Sequence, residues 1–307
     1  MASRVTVFGG DGFIGRYVVQ ALLKEGALVC VASRNPKRGW LLKTQGNLGQ
    51  MAFTIADVTK PDTLGAAVAN ADVVINLVGS FANMDKIQRE GAGNVARAAA
   101  QASVGKLIHL SAIGADCASP SAYGRSKGDG EAAVRAEFPS ATILRPSIVF
   151  GREDSFINRF ASLIRMLPIV PIFAPTTRFQ PVYVGDVAKA VIAAITDSKA
   201  QAQTFELGGP ESFSMEALNR RIAHDIGREK TFLPVPNEAG AAFVRVTSVL
   251  PGAPMSWDQW LMLQKDNVVA PGAKGLETLG IAATPLEAVT PGWLVQYRKH
   301  GRFGAMA

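Results

Sequence analysis

The sequence is poor in the residues that build metal centres and disulfide frameworks. Its 307 residues hold two cysteines and three histidines. Cys30 falls in an apolar strand-like run and Cys117 in a loop, while His109, His224 and His300 are scattered. No metal-ligand spacing joins them, so no metal site is expected, and the unpaired thiols suit a reducing compartment. Long hydrophobic runs are also missing. None reaches the ~18 residues that span a bilayer, and the longest candidate, Met166 to Pro175, is interrupted by three prolines. No transmembrane segment is therefore expected. The first strand-like run begins close to Met1, which leaves no room for a targeting segment and points to a cytoplasmic protein. Charged residues make up 19% and hydrophobic ones 48%, a balance that excludes disorder and indicates a well-packed core. No basic run is interleaved with aromatics, so no nucleic-acid partner is expected.

The charge present is basic, with a net +7. Residues 1–150 carry 16 basic and 11 acidic side chains (+5), and residues 151–307 carry 16 and 14 (+2). Such a surplus serves an anionic cofactor, and it also suits an acidic partner or anionic lipid headgroups.

The stretch around which the chain is organised runs from Val5 to Gly15. An apolar run enters three glycines spaced Gly9-x-x-Gly12-x-x-Gly15, and a helix-like segment, Phe13 to Leu23, follows and stops at Gly26. Strand, glycine turn and helix in that order make a dinucleotide pocket. The glycines let backbone approach a pyrophosphate, and the helix start offers free N–H groups at Phe13, Ile14 and Gly15. Further apolar runs at Leu28–Ala32, Ala52–Ala56, Val73–Val78, Leu107–Leu110 and Thr142–Leu144 read as buried parallel strands. Helix-like segments lie between them: one capped by Thr59, one over Asp85–Ala102, one over Tyr123–Phe138. The fold class expected is α/β, a Rossmann-type doubly wound parallel sheet with a smaller, mostly helical C-terminal lobe. Residues 1–150 would form the dinucleotide-binding domain, with 181–208 returning to it. Residues 151–180 and 209–307 would form a substrate or docking lobe, with helices at Ser155–Leu167, Met215–Ile226, Ala239–Val249, Trp257–Asp266 and Leu286–Lys299. Within 181–208, Pro181–Val184 and Phe205–Leu207 read as strands, and Asp186 as the cap of a helix over Val187–Thr196.

The residues after the second strand decide the nucleotide. An acidic side chain there would accept hydrogen bonds from a free ribose hydroxyl, whereas arginine accommodates a 2′-phosphate. Here the chain reads Ser33-Arg34-Asn35-Pro36-Lys37-Arg38, with no carboxylate. Ser33, Arg34 and Arg38 are therefore expected to hold NADP(H) in preference to NAD(H); a merely solvated basic loop is the competing reading. Asp57 and Val58 after the third strand would border the adenine. Leu77, Val78 and Gly79 after the fourth would let backbone run beside the cofactor.

Ser111 lies just past the fifth strand, and Tyr123 and Lys127 stand four apart on the next helix, on one face. A tyrosine near an ammonium is expected to have a lowered pKa, and it would pass a proton to or from a carbonyl or alcohol oxygen. Ser111 would bond the same oxygen. Tyr123 and Lys127 would also hold the nicotinamide ribose.

Together these motifs resemble the short-chain dehydrogenase/reductase superfamily in its extended, epimerase/dehydratase-like form. Leu144-Arg145-Pro146-Ser147-Ile148-Val149-Phe150-Gly151 and Val182-Tyr183-Val184-Gly185-Asp186 add to the match. The resemblance implies cofactor contacts at Pro146 and Ile148. A closer likeness is to the atypical branch containing the nucleotide-binding accessory subunit of mitochondrial respiratory complex I and its bacterial relatives, carried by Val5–Tyr17, Ser111–Glu131, Arg145–Phe156 and Asp266-Asn267-Val268-Val269. It implies an NADP(H)-binding, dehydrogenase-like protein linked to complex I or to ubiquinone metabolism, peripheral at the inner face of a bacterial inner membrane. The alternative it leaves open is an active NADPH-dependent oxidoreductase or epimerase/dehydratase, acting on an apolar carbonyl or alcohol or on a sugar nucleotide. The asparagine used by many catalytic relatives has no clear counterpart, since Asn94 reads as a packing or turn position.

Overall fold

The computed structural model describes residues 3–248 and 255–303. Along the chain, β1 (Arg4–Phe8), α1 (Phe13–Lys24), β2 (Leu28–Ser33), β3 (Met51–Ile55), α2 (Gly65–Val68), β4 (Val73–Asn76), α3 (Gly91–Gln101), β5 (Lys106–Leu110), α4 (Ala122–Glu137) and β6 (Thr142–Pro146) come first. Then come β7 (Val149–Phe150), α5 (Ile157–Met166), β8 (Ile169–Ile172), β9 (Arg178–Phe179) and β10 (Val182–Tyr183). After these the chain forms α6 (Val184–Thr196), β11 (Thr204–Leu207), β12 (Phe213–Ser214), α7 (Met215–Asp225), β13 (Thr231–Pro234), α8 (Asn237–Thr247) and α9 (Trp257–Leu263). Two compact units result. The first holds residues 1–146, 184–207 and 271–282, and the second holds 147–183, 208–270 and 283–307.

The first unit is built on a seven-stranded sheet in the order β11-β6-β5-β4-β1-β2-β3, parallel throughout. Its central strands bury both faces, which is why they read as continuous apolar runs. Phe8 and Ala32 join the core formed with α2, α3 and α4, among Leu64, Val95, Ala96 and Val134. The alternate residue Val31 meets Val19 of α1 at the turn glycine Gly10. Helices on both faces confirm the doubly wound arrangement. Strand order reverses between β1 and β4, and a crevice for ligand lies beyond the carboxyl ends of strands at such a point.

Several local expectations fail for identifiable reasons. Thr59 does not cap a helix: the Asp57 carboxylate takes the Thr59 N–H and hydroxyl at 3.0 and 2.9 Å, and only a 3-10 turn (Pro61–Thr63) and the short α2 follow. Asp186 lies inside the first turn of α6, fully buried and paired with Lys189 at 2.9 Å. The segment expected to be helical from Asp85 opens as a π turn over Asp85–Glu90 before α3 begins.

The second unit buries Phe150, Ile157, Ile164, Phe179, Leu218 and Ile222 among its core residues. Among the described residues it also carries three short two-stranded sheets, β10-β7, β12-β9 and β13-β8, beside its helices. The helix expected over Leu286–Lys299 is broken into α10 (Leu286–Val289), α11 (Pro291–Leu294) and a 3-10 turn. Pro291 lacks the N–H a continuous helix would need there and starts a new one instead. The expected end of α8 at Val249 lies outside the described residues. No described helix is long and apolar enough to cross a membrane.

Candidate functional site

The glycine turn assigns a different task to each glycine. Gly9 has φ +78°, a left-handed conformation that side chains rarely adopt, and its N–H bonds the Ala32 carbonyl at 3.2 Å. Gly15 sits where a Cβ would run into the Gly9 carbonyl oxygen and lie 2.6 Å from the Gly10 Cα. Gly12 has ordinary extended backbone, and a Cβ there would meet only the Gly9 oxygen, at 3.3 Å. Gly12 thus meets nothing but that one backbone oxygen at the start of α1, and no side chain caps that helix. The first-turn N–H groups of Phe13, Ile14 and Gly15 suit an anion there. The residues present fit a dinucleotide pyrophosphate.

Leu77, Val78 and Gly79 leave β4 beside this turn, with the Leu77 and Val78 backbone 3.4 Å from the position of a Gly9 Cβ. Asn76 fixes the exit by accepting the Val78 N–H at 3.1 Å. Gly79 in turn lies against Lys127, whose Nζ is 3.5 Å from where a Gly79 Cβ would stand. Lys127 donates to the Leu110 carbonyl at 3.2 Å, one residue before Ser111. Gly9, Val78, Gly79, Lys127 and Ser111 therefore form one continuous path across the carboxyl ends of β1, β4 and β5.

The helix carrying Lys127 is clamped. Ser121 caps α4 by accepting the Gly124 N–H at 3.2 Å. Gly128 admits the Asp116–Cys117 backbone, and Gly130 admits the Gln88 carbonyl; a Cβ would collide at either. Lys127 is 5% exposed, and burial pulls its ammonium down to about 8 against the opposing charge of Glu131. Tyr123 corrects the sequence expectation. Its phenol is not lowered but raised to about 12, because burial penalises the phenolate. The Lys127 Nζ stands 6.0 Å from the ring centroid and donates to a backbone carbonyl. The exposed Phe81 stacks on the Tyr123 ring at 4.8 Å and 21°. Ser111 is buried, and its Oγ has no hydrogen-bond partner among the described residues.

At the other end, Ser33 is 9% exposed, and its Oγ has no hydrogen-bond partner among the described residues. Arg34, Lys37 and Arg38 are exposed. Arg34 lies within electrostatic reach of Asp57. Burial raises that carboxyl, yet the Thr59 hydrogen bonds and the charges of Arg34 and Lys60 outweigh it and leave the pKa lowered. Val58 is buried, and its carbonyl accepts the Asn94 Nδ2 at 3.0 Å, so Asn94 is a packing residue. Pro146 ends β6 and accepts the Ile113 N–H at 3.0 Å. Ile148 belongs to the second unit, where it packs against that unit's core.

Three residues beside the site are absent from the sequence expectations: Phe81, Gln88 and His109. Gln88 sits on the π turn, a distortion that recurs at functional sites but leaves no mark in a helical pattern. His109 gave the only signal, standing two residues before Ser111 and hence on the same face of β5. It is 2% exposed, and desolvation, helped by the Lys127 charge, holds it down to about 3. Stability should therefore fall in acid. Below pH 6.5 the unfolded chain takes up this proton, and the folded one does not until about 3. A contribution of roughly 3–5 kcal/mol, complete above pH 6.5, is thus lost as pH falls toward 3. Urea melts at pH 7, 5 and 4 check this, since His109→Leu should flatten that part of the slope. Equal slopes in both proteins would mean His109 is protonated in the fold.

The chain is 35% identical to the mitochondrial NADH dehydrogenase (ubiquinone) 1 alpha subcomplex subunit 9 of Arabidopsis thaliana, over 98% of this chain and 79% of that one. Among solved structures, it resembles the triphenylmethane reductase of Citrobacter sp. complexed with NADP(H) (TM-score 0.77, 19% identity, covering 94% of this chain and 99% of that one). It also resembles the NADPH-dependent quinone oxidoreductase QOR2 of Escherichia coli complexed with NADPH (TM-score 0.77, 20% identity, 93% and 98%). These likenesses place the sheet and turn in an NAD(P)-binding fold. The family model for NAD dependent epimerase/dehydratases matches residues 5–208, and the chain belongs to that family.

Proposed function

We propose that this chain is an NADP(H)-binding, dehydrogenase-like protein that works with a respiratory NADH dehydrogenase assembly or in quinone metabolism, peripheral at the inner face of a bacterial inner membrane. The observation that carries the nucleotide part is the start of α1, which no side chain caps and which the glycine turn leaves without side chains at Gly9, Gly12 and Gly15. The preference for NADP(H) rests on Arg34 and Arg38 after β2, with no carboxylate in Ser33–Arg38. The assembly part rests on similarity along 98% of the chain to a protein named as a subunit of such an assembly. Gently solubilised membranes from the source, resolved on a native gel, test it. Co-migration with a large respiratory assembly is expected, and a small species absent from membranes overturns it.

Arg34→Glu tests the nucleotide preference separately. A charge-assisted bond to phosphate contributes about 1.5–3 kcal/mol, so NADPH affinity should fall about 10–100-fold with NADH little changed. An unchanged ratio in parallel titrations would remove the 2′-phosphate from Arg34.

Turnover is favoured by a separate observation: Ser111 and Lys127 converge beside the β4 exit, with Tyr123 one turn before Lys127 on α4. Bound nicotinamide supplies the hydride chemistry. The phenol, protonated at neutral pH, would give its proton to a carbonyl oxygen while Ser111 Oγ donates to the same atom. An apolar carbonyl or alcohol is the substrate class this reading takes, with a sugar nucleotide as its alternative.

A further inference from the structure

Among the described residues, four of the exposed large apolar side chains, Trp40, Leu41, Leu48 and Ile55, fall between positions 40 and 55 of the first unit. They lie along β3, which ends the seven-stranded sheet with no strand on its outer side. No residue of β3 is buried. The 3-10 segment Pro36–Gln45 packs on that strand, and a Cβ at Gly39 would stand 2.8 Å from the Phe53 ring. Leu42 of this segment is buried, whereas Trp40 and Leu41 are 52 and 80% exposed. Ile55, two residues after Phe53 and so on the same face of β3, is 70% exposed. Leu48 stands fully exposed in the turn before β3, where the Gln50 N–H bonds the Asn47 carbonyl at 3.1 Å.

The charge of the same stretch says what covers these side chains. Between Glu25 and Asp57 the sequence has Arg34, Lys37, Arg38 and Lys43 and no carboxylate. All four cations are exposed. The Lys43 Nζ stands 5.7 Å from the Trp40 ring centroid and 5.5 Å from that of Phe53, so its stem follows the rings. Apolar side chains set among outward-reaching ammonium groups suit a surface that is anionic outside and hydrocarbon within. A second copy of this chain would set like charges against each other. Nucleic acid is anionic but offers nothing to Leu41, Leu48 and Ile55. An anionic lipid surface answers both the charge and the aliphatic groups, and tryptophan sits well at the headgroup level.

We propose that the segment Pro36–Gln45 and the edge strand β3 form a docking surface for a membrane of anionic lipid. Trp40 and Leu41 enter the headgroup layer, and Lys37 and Lys43 pair with lipid phosphates. Arg34 and Arg38 stay with the cofactor's 2′-phosphate, so the adenosine end of the nucleotide lies at the membrane-facing edge. The surface rests on the reading of the chain as peripheral at a membrane, and it adds which residues make the contact and which lipid charge they need. Lipid alone suffices for it, so it stands or falls without a respiratory assembly.

Sedimentation of the full chain with vesicles tests it. Vesicles of phosphatidylcholine and phosphatidylglycerol in equal parts should carry the protein down, those of phosphatidylcholine alone far less, and added salt should release it. Lys37→Gln with Lys43→Gln should weaken the partition about 25-fold, roughly fivefold for each charge. Trp40→Ser with Leu41→Ser should weaken it at least about tenfold, through the apolar area withheld from the lipid. Both variants change exposed side chains, so their melting temperatures should stay near that of the unaltered protein. Should the serine variant fold poorly, the lysine variant and the salt dependence of the unaltered chain decide the matter. No binding to the anionic vesicles, or equal binding by the unaltered chain and the lysine variant, overturns the proposal. Native-gel co-migration that is lost in these variants, with no vesicle binding by the unaltered chain, assigns the surface to an acidic protein and overturns the lipid. Vesicle binding lost in the variants, with no co-migration in any of them, supports the lipid surface and removes only the assembly.

Discussion

Gly12→Val should abolish NADPH binding and leave the fold standing, whereas Gly15→Val should abolish binding and destabilise the fold as well. Gly12 has φ −78° and ψ 178°, which any residue adopts, and its added Cβ would touch only the Gly9 oxygen at 3.3 Å. In the proposed placement it leaves the start of α1 to an anion. A valine there would stand between the pyrophosphate and the free N–H groups, so affinity should fall more than about a hundredfold. The melting temperature should move by only a few degrees, about 1 kcal/mol for a poor helix cap. Gly15 differs because its neighbours are backbone atoms of Gly9 and Gly10, which cannot rotate aside. A side chain there must open the turn or push α1 off the sheet, at a cost of several kcal/mol and roughly 10 °C of melting temperature. Thermal melts and NADPH titrations on the two variants separate the roles. Undiminished NADPH binding by Gly12→Val would sink the placement of the pyrophosphate at α1.

This contrast also marks what the sequence discloses. The glycine spacing located the turn, but the division of labour within it depends on three-dimensional approach. The parallel strands were legible because both of their faces are buried, so they appear as apolar runs bounded by turns. The weaker expectations depended on side-chain competition. Asp57 took Thr59 away from a cap, and Pro291 restarted a helix that periodicity carries through. At the site, Ser111, Tyr123 and Lys127 were read from their spacing together with their place after the fifth strand, and the structure sets Lys127 on the Leu110 carbonyl, one residue before Ser111. The direction of the Tyr123 pKa was not legible, because it turns on burial rather than on the nearby cation. Gln88 was invisible for a similar reason: only the π turn brings its amide between the β4 exit and α4. The segment 271–282 returns to the first unit through the Lys274 carbonyl, which accepts the Glu206 N–H of β11 at 2.8 Å, a link that neither composition nor periodicity encodes.

Tyr123→Phe should remove carbonyl reduction and leave NADPH bound. On the turnover reading, the phenol, its pKa raised to about 12, keeps its proton at neutral pH and would serve as the acid of a reduction. Donation creates a phenolate in a buried setting, and the Lys127 ammonium offsets that charge. A positioned acid of this kind contributes about 10²–10⁴-fold to rate, so the variant should lose that much in kcat. KM should move little, since phenylalanine retains the ring that stacks on Phe81. The pH profile carries a second test. Lys127 loses its proton at about 8, so reduction should hold steady below that value and decline above it as the ammonium disappears. Rates over pH 6–10 with a panel of apolar carbonyls, beside NADPH titrations of both proteins, measure all three effects. A Tyr123→Phe protein as fast as the unaltered one would exclude the phenol as the acid and leave Ser111 as the group to change next. Loss of NADPH binding in the variant would instead make Tyr123 a cofactor-holding residue, which is the role the assembly-linked reading requires of it.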